Sequence, residues 1–400
     1  LKARAAKDYF LLIGPPGTGK TSRALRSMVE AFDQEGKQIL LLSYTNRAVD
    51  EISKTLAAIT PKIDFIRMGS ELSCDEAYRE RLIENVLADC TTRREVQERI
   101  ARCRVFVGTV ATLSAKTEFF RLKTFDVAII DEATQILESQ LLGLLCARNA
   151  TGANAIDKFI LIGDHKQLPA VVLQSTEQSE VCDETLRAIG LYNLKDSLFE
   201  RLYRNISRQN FQSSDTHLSQ ITNRCYDMLC RQGRMHVEVA SFPNHAFYDG
   251  LLEPVGLLHQ QGVLCLSSEV EEYEFAEFLT QRVAFLPSVP ETLSQSVKMN
   301  HSEAQIAARL TELVYRQYAA NSEFDPALTL GIITPYRSQV ALIKKEIAAL
   351  GIAELDEILV DTVERFQGSE RDVIIYSFCV NRASQLKFLA NLTQDHGILI

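Results

Sequence analysis

The segment from Tyr9 to Thr21 constrains the fold of this chain more than any other stretch. The apolar run Tyr9–Ile13 predicts a buried strand, residues 14–21 read Gly-Pro-Pro-Gly-Thr-Gly-Lys-Thr, and a helix is predicted over residues 21–32. Strand, glycine-rich loop and helix in this order are the context in which the pattern GxxxxGK[ST] forms a phosphate-binding loop. The alternative, a Gly/Pro-rich turn that only resembles the pattern, is disfavoured by the flanking strand and helix.

The residue types of this loop suit a nucleoside triphosphate. Glycines let backbone N–H groups surround phosphate oxygens, and the start of the next helix adds the positive end of its dipole. Lys20 is expected to reach the β- and γ-phosphates, and the Thr21 hydroxyl to be a ligand of Mg²⁺. The sequence therefore predicts a site for ATP and Mg²⁺ made by Gly14, Pro15, Gly17, Thr18, Gly19, Lys20 and Thr21.

The composition limits the classes of protein to which this chain can belong. A chain of 400 residues that is 46% hydrophobic and 24% charged is typical of a globular protein with two or three domains. The apolar runs are far shorter than the ~18 residues of a membrane span, so none is expected. The net charge of −9 argues against indiscriminate binding of polyanions but allows a local basic groove. Nine scattered cysteines without a C-x-x-C pattern indicate reduced cytoplasmic thiols.

Strands and helices alternate after the loop, which predicts an α/β unit with a parallel sheet. Its strands are expected at residues 9–13, 39–43, 105–109, 127–130 and 159–162. Residues 61–103 show no strong strand pattern, and the portion 75–100 predicts a mainly helical insertion, either a plain surface excursion or a functional insert. A helix is expected over residues 197–203, and the polar stretch 207–214 predicts a turn near the boundary between two lobes.

The second part of the chain predicts another α/β unit. Its strands are expected at residues 262–266, 330–333, 358–361 and 373–378. A capping-box pattern at residues 302–305 predicts the start of a helix that reaches residue 319. Another helix is expected over residues 338–350, closed by Gly351.

Polar side chains follow two predicted strands of the first unit. Asp131 and Glu132 come after strand 127–130, and the carboxyl end of a parallel strand beside a phosphate loop is where Mg²⁺ takes its second protein contact. We assign Asp131 to Mg²⁺ through water, and Glu132 to the general base that orients the attacking water. Gln167, in the turn after strand 159–162, can reach the γ-phosphate or that water; an ordinary β-turn is the alternative reading.

Together these segments resemble the motifs of superfamily 1 helicases. The phosphate loop, DEATQ at residues 131–135 and GDHKQLP at residues 163–169 are similar to motifs I, II and III. Further matches are LLLSYTNRAVD at 40–50, FVGT at 106–109, SLFERL at 197–202, QGRMH at 232–236, TPYRSQ at 334–339 and VERFQGSERDV at 363–373. The combination of DEAxQ, QxRMH and FQGxExD resembles the branch of superfamily 1B that contains the nonsense-mediated-decay RNA helicase and the replication helicase–nuclease.

The resemblance implies two RecA-like P-loop NTPase lobes with parallel sheets, over residues 1–205, with a mainly helical insertion at about 61–103, and over residues 206–400. It implies a core that hydrolyses ATP and translocates on single-stranded DNA or RNA, 5′ to 3′. By resemblance Arg234 is the arginine finger, and Gln367, Gly368 and Glu370 approach the γ-phosphate or ribose. The resemblance also implies residues that touch the nucleic-acid backbone, because their hydroxyls and amides can bind phosphates without reading the base sequence. These residues are Thr45, Asn46, Thr109, Thr334, Tyr336 and Thr362.

The chain departs from the family pattern at three places. Gly233 stands where the family has a Tyr that stacks on the base, so base recognition is left open. Val237 replaces the usual Pro. Motif VI, with a second arginine, is expected shortly after residue 393, and the sequence reaches Ile400 without it. We therefore expect a fragment whose second lobe is incomplete at the C-terminus.

Two other classes of function remain open at this stage. An ATP-gated clamp or remodeller of nucleic acid needs the same motifs but unwinds nothing. A P-loop ATPase that acts on protein partners predicts no stimulation by single strands, and the segments 40–50 and 334–339 count against it. The core is expected to be monomeric, with a cytoplasmic location, or a nucleoid or nuclear one if DNA is the substrate.

Overall fold

The computed structural model describes residues 2–170, 172–212, 225–268, 270–290, 298–320, 323–366, 369–382 and 384–385, with the backbone alone for 209–212. Contacts divide the chain into two compact units. The first comprises Leu1–Arg234 and Leu251–Val255, and the second comprises Met235–Gly250 and Gly256–Ile400. Contacts thus join residues 225–234 to the first unit, whereas we predict that the second lobe begins at residue 206; the lobe boundary stays a prediction.

The strands among the described residues are β1 (Tyr9–Ile13), β2 (Ile39–Ser43), β3 (Phe65–Met68), β4 (Val105–Thr109), β5 (Val127–Ile130), β6 (Phe159–Gly163), β7 (Tyr226–Met228), β8 (Arg231–Gln232), β9 (Glu253–Pro254), β10 (Leu330–Ile333), β11 (Leu359–Asp361) and β12 (Val373–Tyr376).

The α-helices are Lys2–Ala5, Arg26–Gln34, Asn46–Ala57, Ile83–Val86, Arg93–Arg102, Val110–Ala115, Glu138–Leu145, Glu184–Ala188, Leu198–Gln212, Val237–Phe247, His301–Ala319, Arg337–Ala348 and Val363–Phe366. A wider π-helical turn, Lys20–Leu25, precedes the second of these. Short 3₁₀ segments are Glu71–Ser73, Glu76–Arg81, Thr117–Arg121, Ala133–Gln135, Glu177–Ser179, Leu258–Gln260, Ala276–Thr280 and Ala353–Glu357.

A parallel sheet of seven strands organises the described part of the first unit, in the order β3-β4-β2-β5-β6-β1-β7. Every residue of β2 and of β4 is buried, because helices cover both faces of the sheet. Alternate side chains enter opposite cores: Leu40 and Phe106 belong to one, Leu41 and Ile52 to the other. Replacing a buried leucine such as Leu41 with alanine costs about 2–5 kcal/mol.

This order brings the loops that follow β1, β2, β4, β5 and β6 to one edge of the sheet, where parallel α/β proteins bind ligands. The register fixes their depth: Ile13 pairs with Gly163, and Ser43 pairs with Thr109. The phosphate loop and the polar residues after β5 and β6 are therefore neighbours in space.

The second unit contains a smaller parallel sheet, in the order β11-β10-β12. Helices His301–Ala319 and Arg337–Ala348 pack on it through a core that includes Ile332 and Ile343. The first of these helices is capped by Asn300, whose side chain accepts from the Glu303 N–H at 2.8 Å, so its N-cap lies two residues before the predicted N-cap, Ser302. The Glu303 carboxylate in turn accepts from the Ser377 hydroxyl and the Cys379 N–H, both at 2.7 Å, which ties the helix to the exit of β12.

The structure confirms the predicted strands of the first sheet and those at β10, β11 and β12, the last ending two residues early. Other expectations are wrong. Residues 61–103 contain strand β3, residues 262–266 form no strand, and helix Leu198–Gln212 continues through the predicted turn at 207–212. The portion 75–100 is helical as predicted, in the form of a 3₁₀ segment and two α-helices, Glu76–Arg81, Ile83–Val86 and Arg93–Arg102.

Among the described residues, the helices fall short of the length and apolar character that a bilayer crossing requires.

Candidate active site

The phosphate loop is shaped by two glycines in the left-handed region. Gly17 has a φ of 73° and Gly19 a φ of 75°, a conformation that side-chain-bearing residues rarely adopt. Gly14 must lack a side chain for another reason: a Cβ there would lie 2.1 Å from Cγ of Lys20. The Gly14 N–H donates to the Gly163 carbonyl at 2.9 Å, so the loop starts against the end of β6. The predicted loop residues thus form one tight turn.

Thr21 and Asp131 meet at the edge of the sheet, as expected for the predicted Mg²⁺ ligands. The Thr21 hydroxyl donates to Oδ2 of Asp131 at 2.5 Å, and the Glu132 N–H donates to Oδ1 at 3.0 Å. Asp131 is buried, and this burial, with the nearby Glu132 carboxylate, raises its pKa to about 6, although Thr21 and Lys20 act in the opposite direction. A hydroxyl and a buried carboxylate form an all-oxygen donor set, which fits Mg²⁺.

Glu132 lies between Lys20 of the phosphate loop and Gln135 of its own motif. Its Oε1 is 3.6 Å from Nζ of Lys20, and its Oε2 accepts from the Gln135 amide at 3.3 Å. The backbone of Glu132 has φ 52° and ψ 41°, a left-handed conformation that is unusual for a residue with a side chain and concentrates at functional sites. The turn aims the carboxylate at the lysine, as a base beside the γ-phosphate requires.

Gln167 is oriented by its own loop. Its amide donates to the Asp164 carboxylate at 2.8 Å, and the Lys166 N–H donates to the other carboxylate oxygen at 3.0 Å. Asp164 is fully buried at the end of β6. Next to it, burial lowers the pKa of His165 to about 4, so the ring is neutral at neutral pH.

Arg234 lies against the phosphate loop within the first unit. The Gly233 N–H donates to the Gly17 carbonyl at 2.8 Å, and a Cβ on Gly17 would be 2.5 Å from Cβ of Arg234. The Arg234 N–H donates to Oε1 of the buried Gln232 at 3.0 Å. The structure therefore brings Arg234 to the loop that the sequence assigns to ATP.

Of the three residues assigned to nucleic acid in the first unit, Thr45 and Thr109 are helix N-caps and Asn46 is the first residue of its helix. Thr45 accepts from the Ala48 N–H at 3.2 Å, and Thr109 accepts from the Thr112 N–H at 3.1 Å. Thr45 is exposed and Asn46 partly exposed, whereas Thr109 is buried. Capping does not exclude a contact to phosphate at Thr45, but the buried Thr109 hydroxyl is already committed to its helix.

In the second unit, three predicted contact residues follow neighbouring strands. The Thr334 N–H donates to the Asp361 carbonyl at 3.2 Å, and the Thr362 N–H donates to the Asp361 carboxylate at 2.8 Å. The Thr334 hydroxyl is buried without a hydrogen-bond partner among the described residues. Tyr336 is half-buried, with the Lys298 ammonium 5.8 Å from its ring centroid.

Of the three residues assigned to the γ-phosphate or ribose, Gln367 and Gly368 lie outside the described residues. Glu370 is exposed, and its carbonyl accepts from the Arg371 guanidinium at 2.6 Å. All three assignments stay predictions.

Sequence reasoning missed two residues that orient the site. Asp164 holds Gln167 and Gln135 holds Glu132, each through a side-chain hydrogen bond over three positions. The sequence contains a signal for both residues, because Gln135 belongs to the motif DEATQ and Asp164 to the motif GDHKQLP. Only the turn geometry shows which carboxylate each amide contacts.

A phosphate loop follows the parallel strand β1, and Lys20, Thr21, Asp131 and Glu132 converge beside it. This arrangement defines a P-loop nucleoside triphosphatase. Comparison with known proteins narrows this class. One family model described as AAA domain matches residues 194–395, half of the chain, and a second of the same description matches residues 1–100 and 80–175.

Curated relatives match along almost the whole chain. DNA replication ATP-dependent helicase/nuclease DNA2 of Bos taurus is 28% identical over 98% of this chain and 34% of its own length. The protein of the same name from Homo sapiens is 28% identical, over 94% and 33%. DNA replication ATP-dependent helicase/nuclease JHS1 of Arabidopsis thaliana is 29% identical, over 99% and 26%. This chain spans about a third of the length of these relatives or less.

One solved structure, the arterivirus nonstructural protein 10 helicase in complex with DNA, aligns over 92% of this chain and 63% of its own, with 11% identity and a TM-score of 0.38. That likeness is too weak to support a function.

The chain belongs to the AAA-domain helicases of superfamily 1B, in the branch that contains the nonsense-mediated-decay RNA helicase and the replication helicase–nuclease. The relatives that it matches are named as ATP-dependent helicases with a nuclease function.

Proposed function

We propose that this chain is the motor core of an enzyme that translocates 5′ to 3′ on single-stranded DNA, driven by hydrolysis of ATP at the phosphate loop. The convergence of Lys20, Thr21, Asp131 and Glu132 at one edge of the sheet is the observation that carries the proposal. DNA is favoured over RNA because the relatives that the chain matches are named as DNA replication enzymes. A nuclear or nucleoid location would follow from that substrate.

In this mechanism each residue has one task. Lys20 neutralises charge on the β- and γ-phosphates, and the loop N–H groups bind their oxygens. Thr21 and, through water, Asp131 would hold Mg²⁺, which when bound supplies positive charge to the phosphate oxygens. Glu132 accepts the proton of the attacking water, which Gln167 orients. Arg234 stabilises the charge that develops on the γ-phosphoryl group.

The single strand binds to polar residues that follow the carboxyl ends of parallel strands. In the first unit Thr45 and Asn46 are the accessible candidates, since Thr109 is buried. In the second unit Tyr336 and Thr362 follow β10 and β11, where Tyr336 offers a ring on which a base can stack. Contacts of this kind bind single strands with little sequence preference.

The test is phosphate release from ATP by the full-length protein, with and without single-stranded DNA or RNA. We expect strong stimulation by DNA, loss of turnover in Lys20→Ala, and normal turnover in Lys37→Ala, a control in which the lost partner is the surface residue Asp126. If RNA stimulates and DNA does not, the choice of polymer is wrong. If neither polymer stimulates phosphate release while Lys20 remains essential for it, the chain is instead an ATPase that acts on protein partners.

Strand displacement then separates a motor from a clamp. A 5′-tailed duplex should be unwound in the presence of ATP, and a 3′-tailed duplex should not. ATP-dependent binding without any displacement would favour the clamp.

A further inference from the structure

Three aromatic rings connect the Gln167 loop to the strand that leads to Arg234. The His165 ring stacks on Tyr203, with centroids 4.2 Å apart and planes at 34°. Tyr203 meets Tyr226 edge to face, with centroids 6.2 Å apart at 81°. His165 follows β6, Tyr203 lies on helix Leu198–Gln212, and Tyr226 begins β7.

One end of this chain of rings lies in the loop that carries Gln167. His165 is adjacent to Asp164, the residue that holds the Gln167 amide. His165 is partly buried, and its Nδ1 is shielded from solvent and makes no hydrogen bond among the described residues. Packing against Tyr203 therefore helps to fix this ring, which lacks a hydrogen bond at Nδ1 and is neutral at neutral pH.

The other end lies beside the phosphate loop. Strand β7 pairs in parallel with β1, Tyr226 opposite Leu11 and Met228 opposite Ile13. A few residues later the Gly233 N–H binds the Gly17 carbonyl at 2.8 Å, directly before Arg234. A shift of β7 would therefore move the segment that presents Arg234.

Helix Leu198–Gln212, which carries Tyr203, is anchored to the rest of the first unit by several contacts. Its Arg201 forms a two-pronged pair with Glu138, both N···O distances 2.6 Å, and both side chains are mostly buried. Phe199 on the same helix is fully buried in the core. The bridge between Leu137 and Ser197 attaches the start of the helix close to the second motif.

We propose that Tyr203 is a positioning residue for ATP hydrolysis, whose ring holds the Gln167 loop and the β7–Arg234 segment in their relative places. Tyr203 itself contacts neither the phosphate loop nor Asp131 among the described contacts. The inference rests on the proposed roles of Gln167 and Arg234. A loss of alignment at these two groups slows the chemical step, whereas binding through the phosphate loop is retained.

The first test compares Tyr203→Leu, which removes the ring, with Tyr203→Phe, which keeps it. We expect Tyr203→Leu to lower kcat roughly 10- to 100-fold with KM within about twofold, and Tyr203→Phe to restore kcat. The matched control is Tyr192→Leu, since the Tyr192 ring packs against Arg204 and Arg208 of the same helix. The control should turn over like the wild type. His165→Leu, which breaks the same stack from the other side, should reproduce the defect and replaces Tyr203→Leu if that variant does not fold.

A double-mutant cycle with Gln167→Ala separates positioning from a general loss of stability. If Tyr203 acts through Gln167, the double variant should be little slower than Gln167→Ala alone. Additive effects, or an unchanged kcat in folded Tyr203→Leu, would overturn the inference. Failure of the proposed function looks different, because single-stranded DNA would then not stimulate phosphate release by the wild-type protein, whatever residue stands at position 203.

Discussion

The Thr21 hydroxyl donates a hydrogen bond of 2.5 Å to the Asp131 carboxylate, although 110 residues separate the two in sequence. The contact joins the phosphate loop after β1 to the end of β5, across the intervening strand β6. It also keeps a carboxylate buried where its charge is costly without a cation. The site is therefore assembled at the expense of stability, as expected where charged groups are arranged for a ligand.

Asp131→Asn should stabilise the nucleotide-free protein at neutral pH. Burial raises the pKa of Asp131 to about 6, above its usual 3.8, so the native state binds the proton more tightly than the unfolded state. The resulting penalty is absent below pH ~4, grows as the pH rises to ~6 and is complete above it, at about 1–3 kcal/mol. Urea denaturation at pH 7.5 and pH 4 should show a gain for the variant only at the higher pH.

The control for this prediction is Asp126→Asn. Asp126 accepts from the Gln38 N–H at 2.7 Å and from Lys37 at 3.1 Å, so its replacement should not stabilise the protein. A lower midpoint for Asp131→Asn at pH 7.5 would contradict the account of a costly buried charge.

Arg234→Ala should separate binding from hydrolysis. The backbone before Arg234 is held by the Gly17 carbonyl, so truncation of the side chain leaves the loop intact. An arginine that stabilises the transferring phosphoryl group contributes ~10³-fold or more to turnover. We expect near-normal affinity for a fluorescent ATP analogue and single-turnover hydrolysis slower by that factor. Arg231→Ala, on the exposed side of β8, should hydrolyse normally; an equal rate in Arg234→Ala would remove this residue from the finger role.

The central sheet could be predicted because its strands are continuous apolar runs buried on both faces. Strand β3 could not be predicted from the sequence pattern, because Arg67 interrupts the apolar run Phe65–Met68. In the structure Arg67 is fully buried and paired with Asp50 at 2.7 Å, a tertiary contact that a pattern of hydrophobicity does not contain. Conversely, the apolar run 262–266 finds no partner strand, and Val263 remains 88% exposed.

The site was predictable at the level of motifs but not of orientation. Lys20, Thr21, Asp131 and Glu132 follow from a spacing that phosphate chemistry demands, and the structure brings them together. The contact of the Tyr203 ring with His165 depends on where helix Leu198–Gln212, more than thirty residues further along the chain, packs in the fold. No local pattern encodes such a contact.

Gly17→Ala should lower the rate of ATP hydrolysis beyond what its small loss of folding stability explains. A Cβ at this position would lie 2.5 Å from Cβ and 3.1 Å from the backbone N of Arg234, so the Gly233–Arg234 segment must move. Gly36→Ala is the matched control, since Gly36 has the same φ of 73° but open space where a Cβ would project. Both variants should lose about 1 kcal/mol from backbone strain. Only Gly17→Ala should lose kcat, measured as phosphate release; equal activity of the two variants would contradict the close approach.

His165→Phe should remove a pH dependence of stability while it keeps the stack on Tyr203. Burial lowers the pKa of His165 to about 4, so in the window from pH ~6.5 to ~4 the unfolded state binds a proton that the native state refuses. The stabilisation by neutral His165 is complete above pH ~6.5 and is lost as the pH falls, by on the order of 3 kcal/mol at pH 4. Asp164, Lys166 and Tyr203 are the polar groups around the ring, and the phenylalanine variant leaves all three in place. The urea midpoint of the wild type should therefore fall more steeply than that of His165→Phe between pH 7 and pH 5. Parallel slopes for the two proteins would show that His165 is protonated as easily in the native state as in the unfolded chain.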